Sequence, residues 1–299
     1  MDGIIIVDKP KECTSHDIVS VVKKITKEKV GHTGTLDPKA TGVLPLLIGD
    51  GTKISKYLIN HDKEYVATIE LGKKTDTMDS EGNIIETREV NKESINRENI
   101  ENVLESFKGI QEQVPPIYSA IKVNGKKLYE YARKGIEVKI NSRKIEIYDI
   151  KLLNVKEKEI TINVKCSKGT YIRSLCNDIA EKIGTVGFMK ELRRVQVGIF
   201  NLDYAVNGQE ILQNKNNENY REEINKKLIT IEEVFKDKDK IILNQKEEKL
   251  YLNGVKIDIS KIDGVYNIYD FENKYMGLRN CWKRKIKKRY CNKKTLKIY

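Results

Sequence analysis

What this chain lacks narrows it first. Its 299 residues include five cysteines, Cys13, Cys166, Cys176, Cys281 and Cys291, and no C-x-x-C pair joins any of them. Without that spacing or a secretory context, the cysteines read as reduced thiols in a cytoplasmic protein. Three histidines, none spaced with cysteine as a zinc site requires, leave no metal cofactor to expect. No G-x-x-x-x-G-K-[ST] can be written through the glycine-rich stretches, which removes a Walker-type phosphate loop. The first apolar run, residues 3–7, is too short for a signal peptide. No segment approaches membrane-spanning length, so no membrane partner is expected.

Charge, by contrast, is abundant and uneven. The balance is +12, but residues 282–299 hold nine Lys or Arg and no acid, leaving 47 basic against 44 acidic residues before them. The body is mildly basic and the tail is a polycation, which points to a polyanionic partner, nucleic acid before membrane. A solvated, frayed terminus has the same composition. The length allows one large domain or two.

Read in order, residues 3–7 form a β-branched strand that ends at Asp8-Lys9-Pro10. Thr14 and Asp17 make a capping box, and Ile18, Val21, Val22 and Ile25 follow at helical spacing. Residues 52–59 suggest a short helix. Tyr65, Ala67, Ile69 and Leu71 alternate with polar neighbours, as in a half-buried strand. The acidic turn 75–83 does not fit a calcium loop, because Met78 takes a ligand place, and it reads as a solvated connection. Asn96, Ile100, Val103, Leu104, Phe107 and Gly109 describe a capped amphipathic helix. Residues 145–153 and 159–166 read as strands. A helix follows, with Thr170 as its cap, Ile172, Leu175, Ile179 and Ile183 as its stripe and Gly184 as its end. Residues 209–227, rich in Asn, Gln, Glu and Lys, are open between helix and disordered linker. Beyond residue 237 the pattern is a small β module, with a hairpin-type turn at Asn253-Gly254 and strands at 265–271 and 275–278.

Three stretches carry chemistry. The first is Gly31-His32-Thr33-Gly34-Thr35-Leu36-Asp37-Pro38-Lys39-Ala40-Thr41-Gly42, a shaped loop rich in glycine ahead of an apolar run of strand length. Such a loop can hold Asp37 still, although Asp-Pro also begins helices, with Asp as N-cap. In the second, 115–135, the cations Lys122, Lys126, Lys127, Arg133 and Lys134 interleave with Tyr118, Tyr129 and Tyr131. That suits a surface that tracks phosphates and stacks on bases, and equally an exposed helix with anchoring tyrosines. In the third, Lys168-Gly169-Thr170-Tyr171-Ile172-Arg173, a cation in a first helical turn opposes the helix dipole at a cost of roughly 0.3–1 kcal/mol. An acidic partner offsets that cost, and Asp37 is the candidate.

Together these stretches resemble the TruB family, the bacterial tRNA pseudouridine-55 synthases. G-H-x-G-x-L-D-P-x-A-x-G resembles its catalytic loop, Y-S-A-[IL]-K with G-K-K-L-Y-E-Y-A-R its RNA-gripping thumb, and K-G-T-Y-I-R and Met189–Arg194 its later signatures. The resemblance implies Asp37 as nucleophile, Arg173 as its partner, and Tyr65 stacking on the target uracil. It further implies Tyr171 and Leu192 lining the pocket, although core packing alone explains a leucine there. His32 would brace the space the nucleotide vacates, or be an ordinary loop histidine. Glu12 departs from the pattern, standing where the family has glycine, and implies that this turn is built differently.

The fold implied is α+β, a mixed, largely antiparallel sheet flanked by helices. A catalytic domain would span 1–235, with the thumb at about 117–143, and a small β-rich PUA-like RNA-binding domain 238–299. The expected reaction is isomerisation of uridine 55 in the tRNA T-loop on a flipped-out base, with no cofactor, by a monomer without obligate protein partners. Two rivals remain: an RNA-binding or tRNA-folding factor without chemistry, and a guide-RNA-dependent relative, for which long lysine-rich extensions at both ends are missing.

Overall fold

The computed structural model describes residues 1–259, 263–281 and 285–286. Apart from a short bridge at Lys285–Ile286, the basic segment 282–299 lies outside the described residues.

The alternating and apolar runs assemble into one mixed sheet. Its strands lie in the order Ala205–Asn207, Gly3–Lys9, Thr41–Ile48, Gly187–Val197, Lys63–Leu71, Glu159–Cys166, Arg143–Lys156, Gly109–Gln113. Most neighbours are antiparallel. The pairs 3–9 with 205–207 and 41–48 with 187–197 are parallel. Along Lys63–Leu71 the alternation holds, with Tyr65, Ala67, Ile69 and Leu71 all turned inward. Helices Arg97–Glu105 and Ile172–Ile183 cover one half of the sheet, their apolar stripes sharing one core cluster, and Ser15–Thr26 covers the other half with its stripe in a second. Leu192 touches both clusters.

The halves meet where Thr41–Ile48 and Gly187–Val197 run side by side. In the described register only Arg193–Thr41 and Arg194–Gly42 pair there. The 31–42 loop leads into this seam, and Arg194 reaches from it to the loop carbonyls of Gly34 and Thr35. Gly42 is required at this seam. Its φ is +104°, and a Cβ would lie 2.1 Å from the Arg194 carbonyl oxygen.

Several local expectations hold and several do not. The Thr14–Asp17 capping box starts the helix at Ser15, and Asn96 caps Arg97–Glu105. Glu12 takes a strained place in its turn. It adopts the left-handed φ of 61° itself, an angle that costs a non-glycine residue about 1–2 kcal/mol. Thr170 is not the cap of Ile172–Ile183. Its hydroxyl donates to Ser167 O, and Tyr171 occupies the cap position, its N–H donating to Gln113 Oε1 at 2.8 Å. The helix start carries no side-chain cap, and a distant amide fixes the cap residue instead. Residues 52–59 form a 3-10 turn, Gly49–Ile54, followed by the short helix Ser55–Leu58. Within 209–227 two helices appear, Gly208–Gln213 and Tyr220–Lys226.

Asn253-Gly254 is a helix end rather than a hairpin. Asn244 begins a capping box, Gln245–Leu252 is helical, and Gly254 takes φ +75° to leave it. The local cue was the same, because a positive φ serves helix ends and hairpins alike. That helix packs on the strands Lys240–Ile242, Gly264–Tyr269 and Tyr275–Cys281 around Ile241, Leu243, Tyr251 and Ile268. Leu278 reaches back to pack with Ile54, Leu58 and Phe235.

Candidate active site

The 31–42 loop is held by contacts along its length. Ser15 Oγ donates to Leu36 O (3.0 Å) and accepts from Leu36 N–H (2.8 Å). The Lys9 ammonium, fully buried, donates to the carbonyls of Pro10, Cys13 and Pro38 at 2.7–3.0 Å, and burial pushes its pKa down. Arg194, 2% exposed, donates to Val43 O, Gly34 O and Thr35 O. Fixing a residue's backbone costs about 1–2 kcal/mol in entropy, and these bonds offset that cost across the loop. Leu36 and Ala40 are buried as apolar anchors. Between them the Asp37 side chain stays 46% exposed. One turn closes by Ala40 N–H to Asp37 O at 3.1 Å, and no helix follows. The capping alternative for Asp37 therefore lapses.

The Asp37 carboxylate meets Arg173 instead, Oδ2 lying 3.6 Å from Nε. Arg173 is itself pinned. Nη1 donates to Asp79 Oδ2 and Thr77 O, each at 3.2 Å, and Nη2 to Tyr118 O at 2.8 Å. The turn 75–83 is thus no solvated connection. Asp79 is buried, its Oδ1 accepts from Glu81 N–H, and Met78 O accepts from Met189 N–H, docking the turn on the sheet. The sequence offered only an acidic, polar stretch there, since the partner that buries Asp79 lies 94 positions away.

Asp37 and Arg173 open into a cavity of about 420 Å³ walled by Tyr65, Tyr171, Leu192, Met189, Tyr118 and Tyr129 among others. Tyr65 is 8% exposed. Burial pushes its hydroxyl pKa up, so it stays protonated, and Arg194, opposite it in the strand register, bonds to that hydroxyl. Arg194 has no carboxylate within ion-pair distance among the described residues, and burial lowers its pKa. Gln113 clamps the Tyr171 backbone from both sides, donating to its carbonyl and accepting from its N–H. Asp79, Gln113, Ser15 and Lys9 escaped the sequence reading as site supports. Only Lys9, beside the first strand's end, carried any local cue.

His32 is not in the cavity wall. It ends the strand Val30–His32 with Nδ1 buried and unpartnered, and burial with nearby Arg194 lowers its pKa. In the insertion, Lys122–Val123 pairs with Lys126–Lys127 and a helix, Leu128–Ala132, follows. Lys127 and Arg133 both lie 5.3 Å from the Tyr129 ring centre. Lys122 and Lys126 are exposed. Among the described residues no group of three His, Cys, Asp or Glu is placed to hold a metal, and no helix is long and apolar enough to cross a membrane.

The sheet and its flanking helices have counterparts among solved structures. A chain of a Cbf5-Nop10-Gar1 complex superposes with a TM-score of 0.66 at 25% identity, covering 93% of this chain and 78% of that one. An H/ACA RNP bound to a substrate RNA containing 2'-deoxyuridine shares the fold at 0.65. Residues 22–172 match the TruB family pseudouridylate synthase N-terminal domain, and 173–237 match the tRNA pseudouridylate synthase B C-terminal domain. The tRNA pseudouridine synthase B of Clostridium acetobutylicum is 46% identical over 94% of this chain and 96% of its own length. That of Francisella tularensis is 42% identical over 91% and 89%. The chain belongs to the TruB family of pseudouridine synthases.

Proposed function

We propose that this enzyme converts uridine 55 in the T-loop of tRNA to pseudouridine, with Asp37 as nucleophile on a base flipped into the cavity. The observation that carries the reading is the Asp37–Arg173 pair, 3.6 Å apart at a cavity walled by Tyr65, Tyr171 and Leu192. The reaction breaks the N1–C1′ bond, turns the uracil and joins C5 to C1′. N1 gains a proton and C5 gives one up, so no redox partner is called for. The protein must draw the base from its stack, supply a nucleophile and balance its charge. Asp37 supplies the attack and Arg173 the counter-charge. Tyr65 offers a flat face to the pyrimidine, with its hydroxyl held by Arg194. Lys122, Lys126, Lys127 and Arg133 would meet tRNA phosphates from the thumb.

The decisive test is Asp37→Asn on tRNA tritiated at uridine C5. Tritium release should vanish while tRNA binding stays near that of wild type. Turnover at the wild-type rate would refute the assignment. A binding factor without chemistry would release no tritium even as wild type.

A further inference from the structure

Next to the catalytic cavity lies a second hollow, of about 600 Å³, into which Lys63, Arg143, Lys144 and Lys168 face, with no acidic residue in its wall. The two hollows share Thr35, Tyr65 and Thr170, so one leads into the other. Elsewhere exposed cations often pair with acids, as in Lys11–Glu191, Lys27–Glu218 and Arg97–Glu101. Among the described residues none of these four forms an ion pair. Arg143, Lys144 and Lys168 are exposed, and Lys168 spends one proton on the Asn60 side chain at 2.9 Å. Lys63 tucks its ammonium against the carbonyls of His61 and Ile59. Like charges gathered without acids repel one another, and a row of phosphates relieves that repulsion.

We propose that this groove carries the phosphate backbone of the RNA strand leaving the cavity on the side away from the thumb. The inference rests on the RNA-substrate reading above and adds a second electrostatic track to it. The insertion lines the cavity through Tyr118 and Tyr129 but gives the groove only Arg143, at the insertion's root. A nucleotide held at Asp37 has two chain neighbours, and the thumb accounts for one direction only. An acidic peptide fits less well. Apart from the shared Tyr65, Ile59 is the main apolar side chain in the wall, and Gly34 and Gly169 leave part of it bare backbone. Phosphates need the charge and not the anchors.

The test is the triple variant Arg143→Gln/Lys144→Gln/Lys168→Gln of the full chain, with unmodified tRNA binding measured across a series of KCl concentrations. Every phosphate left without its cation should lower the slope of log K against log[salt] by about 1. The triple should therefore take about 2–3 from the slope and bind at least about tenfold more weakly at moderate salt. A control triple that removes the same charge from outer helices and turns, Lys23→Gln/Lys215→Gln/Lys227→Gln, should bind more nearly as wild type does. Wild-type affinity and slope in the groove triple, or equal weakening in the control, overturns the proposal. If the triple melts early, the three single variants replace it, each expected to take about one unit from the slope. Binding is read without pseudouridine formation, so the two readings fail separately. A wild-type protein that binds tRNA through this groove and releases no tritium sinks only the chemistry.

Discussion

Asp79→Asn removes one charge and, with it, one acceptor of the guanidinium. The amide keeps the carboxylate's shape and a carbonyl oxygen for the Glu81 N–H, while the oxygen that accepts from Arg173 Nη1 gives way to an NH2 group that carries no charge and cannot accept. The Arg173 and Asp79 side chains are each 11% exposed and 3.2 Å apart, whereas Asp37 is 46% exposed and 3.6 Å away. At an effective dielectric of about 20 the gross attraction at such spacings is roughly 4–5 kcal/mol. Water screens the Asp37 share of it. Asp79 therefore sets where Arg173 rests, and Asp37 meets a guanidinium already aimed. Removing one partner of a buried pair costs about 3–5 kcal/mol. The retained hydrogen bonds put the asparagine at the lower end, about 3 kcal/mol, and at about 2–4 °C per kcal/mol the melting temperature should fall by about 6–12 °C. With Asp79 neutral, Arg173 is drawn toward its one remaining acid, and a displacement of about 1 Å at a reacting centre costs on the order of 10²-fold in rate. Differential scanning calorimetry and single-turnover tritium release measure the two effects. Wild-type melting with wild-type turnover would show that the carbonyls of Thr77 and Tyr118 alone hold the guanidinium.

Two further perturbations follow from strain and from titration. Glu12→Gly should raise stability by up to about 1 kcal/mol, since glycine takes the φ of 61° without the left-handed penalty and returns part of that gain as unfolded-chain entropy; an unmoved or lower urea midpoint would show that the angle costs glutamate nothing. His32 and His61 both have pKa values lowered in the fold, mainly by burial, so the unfolded chain binds more protons and stability is present above about pH 6.5 and lost as pH falls below it. The double variant His32→Gln/His61→Gln should flatten that acid limb in urea titrations at pH 7.5 and 5.5, and an equally steep fall would place the titration elsewhere.

What could be read from residues alone was what residues near in sequence decide. The alternation of Tyr65, Ala67, Ile69 and Leu71, the box of Thr14 and Asp17 and the stripe after Asn96 each state a period or a cap within a few positions. The Asp37–Arg173 pairing was legible for a different reason: a cation in the first turn of a helix is locally unfavourable, and only a distant acid makes sense of it. Asp79 offered no such contradiction. An aspartate in an acidic turn beside Ser80 and Glu81 looks content in water, and its burial depends on Arg173 and on Met78 meeting Met189. Thr170 misled because a hydroxyl in the right place suggests a cap, while in the fold that hydroxyl turns back to Ser167 O and Gln113, from another strand, holds Tyr171 at the cap position. Local rules give the candidates, and tertiary contacts choose among them.

Arg194 carries this furthest. In the sequence it is one of two arginines after Leu192, and either could have been an exposed strand cation. In the fold its neighbour Arg193 takes that part, reaching Asp8 and Thr41 at the half-exposed surface. Arg194 turns inward, with its guanidinium spread over Gly34, Thr35 and Val43 on one side and the Tyr65 hydroxyl on the other. One side chain thereby ties the loop that presents Asp37 to the strand that presents Tyr65, across the seam where only two residue pairs join the sheet. A buried guanidinium answered by carbonyls and one hydroxyl is a costly way to fill space. The cost makes physical sense if the distance between carboxylate and ring is what it secures, because neither half of the sheet can set that distance by itself.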